Sequence, residues 1–194
     1  DARHEHRAEE AFELAAEAGL TETAIDIARE NVVGFIDAGR VELLERWLAV
    51  CGASALNHAE LVLAKMAVLF HEGQFSDVAA LGADLVGRAP SGHPTISAAW
   101  YRRAQALHML AEREGAMEAA RRAHETATAP LDRRKGLLLA ALTAARLELD
   151  EVDVYLAALS ELDDEVDDRL RLAAALLVAD VKKGTLEGTW ERAT

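Results

Sequence analysis

Residues 59–90 read AELVLAKMAVLFHEGQFSDVAALGADLVGRAP. Two apolar segments flank Glu72-Gly73-Gln74, and Pro90 closes the unit. The first, His58 to His71, is apolar nearly all round, which predicts a helix buried on two sides. The second, Phe75 to Gly87, has the one-sided spacing of an amphipathic helix, with Val78, Leu81, Leu85 and Val86 inward. Such a helical hairpin cannot cover both apolar sides of its first helix alone. It requires similar hairpins stacked against it.

The flanking sequence supplies them. Towards the N-terminus, Arg3 to Ala18 carries Ala8, Ala11, Phe12, Ala15 and Ala16 on one stripe, and Gly19 stops it. Thr21 is placed to cap the next helix, its hydroxyl accepting from free first-turn amides. That helix runs to Ala38 with Ala24, Ile25, Ile27, Ala28, Val32, Phe35 and Ile36 inward, and Gly39 ends it. A shorter helix, VELLERWLAV, follows, and Cys51 to Asn57 reads as a loop. Towards the C-terminus, Ser91-Gly92-His93-Pro94 is a break. Beyond it, Thr95–Ala111, Leu131–Leu149 and Val166–Val181 repeat the two-sided helix, while Ala116–Thr128 and Val152–Leu162 repeat the one-sided one. A last helix begins at Leu186.

Tight turns fall near Gly39, Gly73, Arg113, Asp150 and Gly184, at separations of 34, 40, 37 and 34 residues. Helix–turn–helix units at a period of ~34 residues are the mark of tetratricopeptide arrays. The expected fold is all-α: a right-handed α-solenoid of about ten to eleven helices, stabilised by nearest-neighbour stacking, as a single domain over residues 1–194. A compact bundle of about eleven helices is the alternative.

Composition narrows the function. The 194 residues carry a net charge of −13, which argues against a nucleic-acid-binding surface and against docking on anionic lipid. No apolar run reaches the ~18 residues of a membrane span. The single Cys51 excludes an internal disulfide and fits a reducing compartment, so a cytoplasmic location is expected. The chain opens Asp-Ala-Arg-His-Glu-His, without a signal peptide and as if within a helix, which reads as a piece of a longer protein.

Catalytic chemistry finds no constellation. His4, His6, His58, His71, His93, His108 and His124 form no H-E-x-x-H motif, and Cys51 pairs with none at zinc spacing, so no metal site and no cofactor are expected. Cys51 reads as a buried small hydrophobe. Ser54, Ser76, Ser91 and Ser97 lack nucleophile motifs. No enzyme activity is expected.

Two stretches resemble known families. Gly73 and Phe75 at the turn, with Pro90 at the closing position, resemble a tetratricopeptide repeat, although Val78 stands where the small alanine is usual. His6-Arg7-Ala8-Glu9 through Gly19-Leu20-Thr21-Glu22-Thr23-Ala24 resembles the start of the helical-repeat region in large MalT-type, LuxR-family transcriptional regulators. So does Asp37-Ala38-Gly39-Arg40 followed by Leu44-Glu45-Arg46-Trp47-Leu48. The resemblance implies a nucleotide-binding ATPase module before such a solenoid and a helix-turn-helix DNA-binding domain after it, with the solenoid sensing an inducer or a partner and controlling self-association. Neither module is present here: no glycine is followed by lysine, as a phosphate loop requires, and no basic recognition helix occurs. Direct nucleic-acid binding by these residues is therefore not expected.

The binding surface follows from the repeat register. The first helix of each hairpin lines the concave face of a solenoid. Glu60, Leu63, Ala67, Phe70 and His71 take those positions in one unit, and Trp100, Arg103 and Leu107 in the next. An aromatic, a guanidinium and a carboxylate suit a small polar ligand or a peptide. Against this stands a plainer assignment of Trp100 and Phe70 to the core between repeats. The paired Asn and Lys of a peptide-carboxylate clamp are missing, since Asn31 and Asn57 lie outside this face. Charge is segregated: eight basic residues lie between Arg102 and Lys135, and ten acids without Lys or Arg between Glu148 and Asp168. These are either solvated outer faces or docking zones for a protein partner or a second copy. Two readings result. One is a sensor segment that binds a small inducer in the groove. The other is a protein–protein scaffold with no small-molecule ligand.

Overall fold

In the computed structural model, described over residues 2–90, 92–147 and 151–161, all regular structure is helical. The expected helices over 166–181 and 186–194, the turns near Asp150 and Gly184, and Trp190 lie outside the described residues. Nine α-helices occur among the described residues: α1 Ala2–Glu17, α2 Thr21–Asp37, α3 Val41–Cys51, α4 Ala59–His71, α5 Phe75–Arg88, α6 Thr95–Met109, α7 Arg113–Thr126, α8 Pro130–Arg146 and α9 Val152–Glu161. The stretch after α3 is not the expected loop. Cys51 ends α3, and Gly52–Asn57 continues as a 3₁₀ helix that buries Ala55.

One turn joins helices four times. Gly19, Gly39, Gly73 and Ala111 all sit at positive φ, between 60° and 76°. In each, the amide of the following residue reaches back five residues, as in Leu20 N to Ala15 O at 2.9 Å and Arg40 N to Phe35 O at 2.9 Å. Gln74 N to Leu69 O and Glu112 N to Leu107 O repeat it at 2.9 Å. A left-handed residue just past a helix satisfies its last carbonyls in this way. The same Leu20, Arg40, Gln74 and Glu112 then offer their carbonyls to the first amides of the next helix, those of Ala24, Leu44, Val78 and Ala116. This corrects the expectation for Thr21. The turn gives the cap position to Leu20, Thr21 becomes the first helical residue, and no side chain caps α2.

The chain divides into two units, Asp1–Ala89 and Pro90–Thr194. In the first, α2 packs on α1, α3 and α4, and α4 packs on α2, α3 and α5. These neighbours explain why α4 is apolar all round, with Leu61, Val62, Leu63, Ala64, Met66, Ala67, Val68 and Leu69 all buried. At the centre of the α1–α3 contact, the Trp47 indole stacks on Phe12 with centroids 4.3 Å apart and meets the edge of Phe35 at 5.0 Å. Ala11, expected inward, is exposed. Over this core Glu9 accepts from Arg40 at 3.3 Å and Arg46 at 2.9 Å.

In the second unit, α7 packs on α6 and α8, α6 on α8, and α8 on α9. Small residues make these approaches close: Ala99, Ala104 and Ala106 on α6, Ala116, Ala119, Ala120 and Ala123 on α7, and Ala140, Ala141 and Ala144 on α8 are buried. The contacts fix directions. Ser97, near the start of α6, donates to the Ala123 carbonyl near the end of α7 at 2.8 Å, so these helices are antiparallel. Arg146 at the end of α8 donates to His108 at the end of α6, so α6 and α8 run side by side in the same sense.

Candidate functional site

The expected binding residues fall into separate units. In the first, Glu60 opens α4 half-buried and accepts from Arg29 Nε on α2 at 3.4 Å. Leu63 and Ala67 are buried in the packing of α4. Phe70, half-buried, meets the edge of Phe75 across the Gly73 turn with centroids 5.2 Å apart. His71, the last residue of α4, is exposed. The glutamate is thus engaged with arginine, the phenylalanine with its own hairpin, and the histidine with solvent.

In the second unit, the i, i+3 spacing brings Trp100 and Arg103 together on α6. The Arg103 guanidinium carbon lies 5.2 Å from the Trp100 ring centroid, within cation–π range, and both residues are half-buried. Leu107, one turn on, is buried. Its Cδ1 lies against Gly115, where a Cβ would come within 3.3 Å, so it belongs to the contact with α7.

The second unit buries polar side chains in a way the sequence did not signal. Thr95, Ser97, Gln105, Arg134 and Thr143 are buried. Arg102 donates to Gln105 Oε1 at 3.2 Å, and Gln105 donates to the Tyr101 hydroxyl at 3.3 Å. Arg103 Nε, by contrast, is buried without a hydrogen-bond partner among the described residues. Helix α6 carries no carboxylate, and α8 carries Asp132 alone beside Arg133, Arg134, Lys135 and Arg146. Arg134 corrects the expectation of a wholly solvated basic face, because it is buried at 5% exposure. Arg121 and Arg122 on α7 do face solvent, where Glu118 pairs with both and Glu125 with Arg122. Their local charge is balanced on their own helix.

The remaining chemical groups are dispersed. Burial pushes the Cys51 thiol up. Burial, helped by the neighbouring Arg146 guanidinium, pushes His108 down to about 4. His124 is lowered chiefly by burial, and its ring meets the edge of Tyr155 at 6.2 Å. Among the described residues no group of three or more His, Cys, Asp or Glu could hold a metal ion. No helix among them is long and apolar enough to cross a membrane. No family model, no curated protein and no solved structure matches this chain.

Proposed function

We propose that this chain is a non-catalytic sensor module: a right-handed solenoid of tetratricopeptide-like hairpins within a bacterial multidomain transcriptional regulator of the MalT-like, LuxR-family kind. In this reading it binds a small inducer or a protein partner and controls self-association in the cytoplasm. The recurring positive-φ turns at Gly39, Gly73 and Ala111 support the hairpin repeat. The observation that carries the sensing role is the half-buried Trp100–Arg103 pair, an aromatic face and a guanidinium held together on one helix. Such a pair offers apolar area and directed hydrogen bonds at one spot, which is what a small polar ligand requires.

The test is native mass spectrometry on gently purified protein, followed by Trp100→Ala and Arg103→Ala. A stoichiometric small-mass adduct, lost in both variants while their helical circular dichroism and melting midpoints hold, supports the reading. Unchanged ligand affinity in folded variants sinks it. A scaffold without a small-molecule ligand is the second reading, with partners docking on charged zones through salt-sensitive association. The Glu118–Arg122 pairing on α7 weakens it, because those arginines already have partners on their own helix.

A further inference from the structure

We infer that Arg103 is the recognition residue for a carboxylate-bearing small molecule, with Trp100 as the surface on which its apolar body rests. This inference rests on the sensor reading and names the ligand class for the same site.

Arg103 Nε is buried and has no hydrogen-bond partner among the described residues. A buried N–H left unpaired is unfavourable, more so when it belongs to a charged group. Its neighbour Arg102 is engaged by Gln105, which shows that acceptors are available locally but are directed elsewhere. No residue of α6 is acidic. The parallel helix α8 adds four cations and one acid. With the His108–Arg146 contact as register, an offset of 38 residues sets Arg134 and Lys135 level with Ile96 and Ser97, one turn before Trp100. In a chain of net charge −13, α6 and α8 together carry six arginines and lysines and one acid.

The geometry selects the anion. A guanidinium presents Nε–H and one Nη–H in parallel, and a planar carboxylate accepts both. A single such fork supplies one positive charge, which matches a monoanion rather than a phosphate dianion. The guanidinium carbon lies over the Trp100 ring at 5.2 Å, and all the N–H donors of that planar group lie on its edge. Turning that edge towards a bound carboxylate satisfies the orphaned Nε–H and changes the surroundings of the Trp100 ring. Recognition and readout therefore belong to the same two side chains.

The test is a ¹⁵N nuclear magnetic resonance titration of the arginine Nε–H and tryptophan indole signals at constant ionic strength. Benzoate is the probe, benzamide its neutral counterpart, and inorganic phosphate the competing oxoanion. Arg103→Lys identifies the Arg103 signal and removes Nε. The expected result is a saturable shift of Arg103 Nε–H and of the Trp100 indole with benzoate, at least tenfold weaker with benzamide and with phosphate, and absent in Arg103→Lys. No saturable shift, an equal response to benzamide, or stronger binding of phosphate overturns the inference. If a neutral ligand is then captured by the wild type in native mass spectrometry and lost in Trp100→Ala, only the carboxylate class has failed. If none is captured, the sensor reading fails as well.

Discussion

The backbone of His124 on α7 lies so close to Gly136 on α8 that a Cβ on Gly136 would meet its amide nitrogen at 2.6 Å and its Cα at 2.9 Å. Backbone atoms cannot swing aside as a side-chain end can. In an open helix, Gly→Ala gains up to about 1 kcal/mol. Gly136→Ala should instead lose about 1–3 kcal/mol through overpacking. Gly34, helical and with nothing within 4 Å of its would-be Cβ, is the control and should gain. Urea midpoints for the two variants, moving in opposite directions, check the contact.

Ala111 occupies at φ 60° the turn position that is glycine in the three equivalent turns. A left-handed conformation is unfavourable by roughly 1–2 kcal/mol for a residue with a Cβ. Ala111→Gly should therefore stabilise the protein by about 1 kcal/mol or slightly less, once the extra freedom of glycine in the unfolded chain is subtracted. Gly39→Ala should lose a comparable amount. Thermal melts of both report the sign.

Trp47, stacked on Phe12 and edged by Phe35, should be the most damaging single truncation in the first unit. Removing a buried indole typically removes about 3–5 kcal/mol. Its Nε1 has no hydrogen-bond partner among the described residues, so Trp47→Phe should lose far less than Trp47→Ala. Chemical denaturation of the two variants separates packing from polarity.

The helices were readable because α4, α6 and α8 have packing partners on two sides and α5 and α7 show a one-sided stripe. Periodicity records burial, and burial decides these boundaries to within a few residues. The Gly39 and Gly73 turns were readable because only glycine adopts positive φ without strain. Ala111 escapes notice for the same reason, and the sequence places its turn only near Arg113. Thr21 misled because its hydroxyl is a good cap, while the tight turn had already assigned that place to Leu20. In the candidate site, spacing alone brought Trp100 to Arg103. Nothing in Arg133-Arg134-Lys135 distinguishes the buried member from a solvated run. An unpaired Nε is a property of three-dimensional surroundings that no local pattern carries.

His108 should make stability fall with acid. Its folded value is about 4, below the ordinary 6.5 because of burial first and Arg146 second. Between those values the unfolded chain binds the proton and the folded chain does not. The contribution is complete above pH 6.5 and is lost progressively as pH falls towards 4. His108→Gln should flatten that part of the curve, and urea midpoints at pH 7 and pH 5 measure it. A histidine NMR titration should show the His108 ring neutral at pH 6.

Cys51 should react slowly with a disulfide reagent in the native protein. Its thiol is buried and its pKa raised, so little thiolate is presented. Labelling should become fast in denaturant. Fast native labelling would show that the α3 end opens locally.

The shared peptide groups of the four recurring turns bear on how the chain finds its structure. Leu20, Arg40, Gln74 and Glu112 each finish one helix with their amide and start the next with their carbonyl. Every bond in such a corner spans only a few residues, so it forms without waiting for any distant encounter. Short loops close within about 10–100 ns, and proteins dominated by local pairings reach their folded state quickly. Coupling through a single peptide also means that unwinding the end of one helix disturbs the start of the next. Hydrogen exchange at Leu20, Arg40, Gln74 and Glu112 would then report the opening of helical pairs rather than the fraying of single ends.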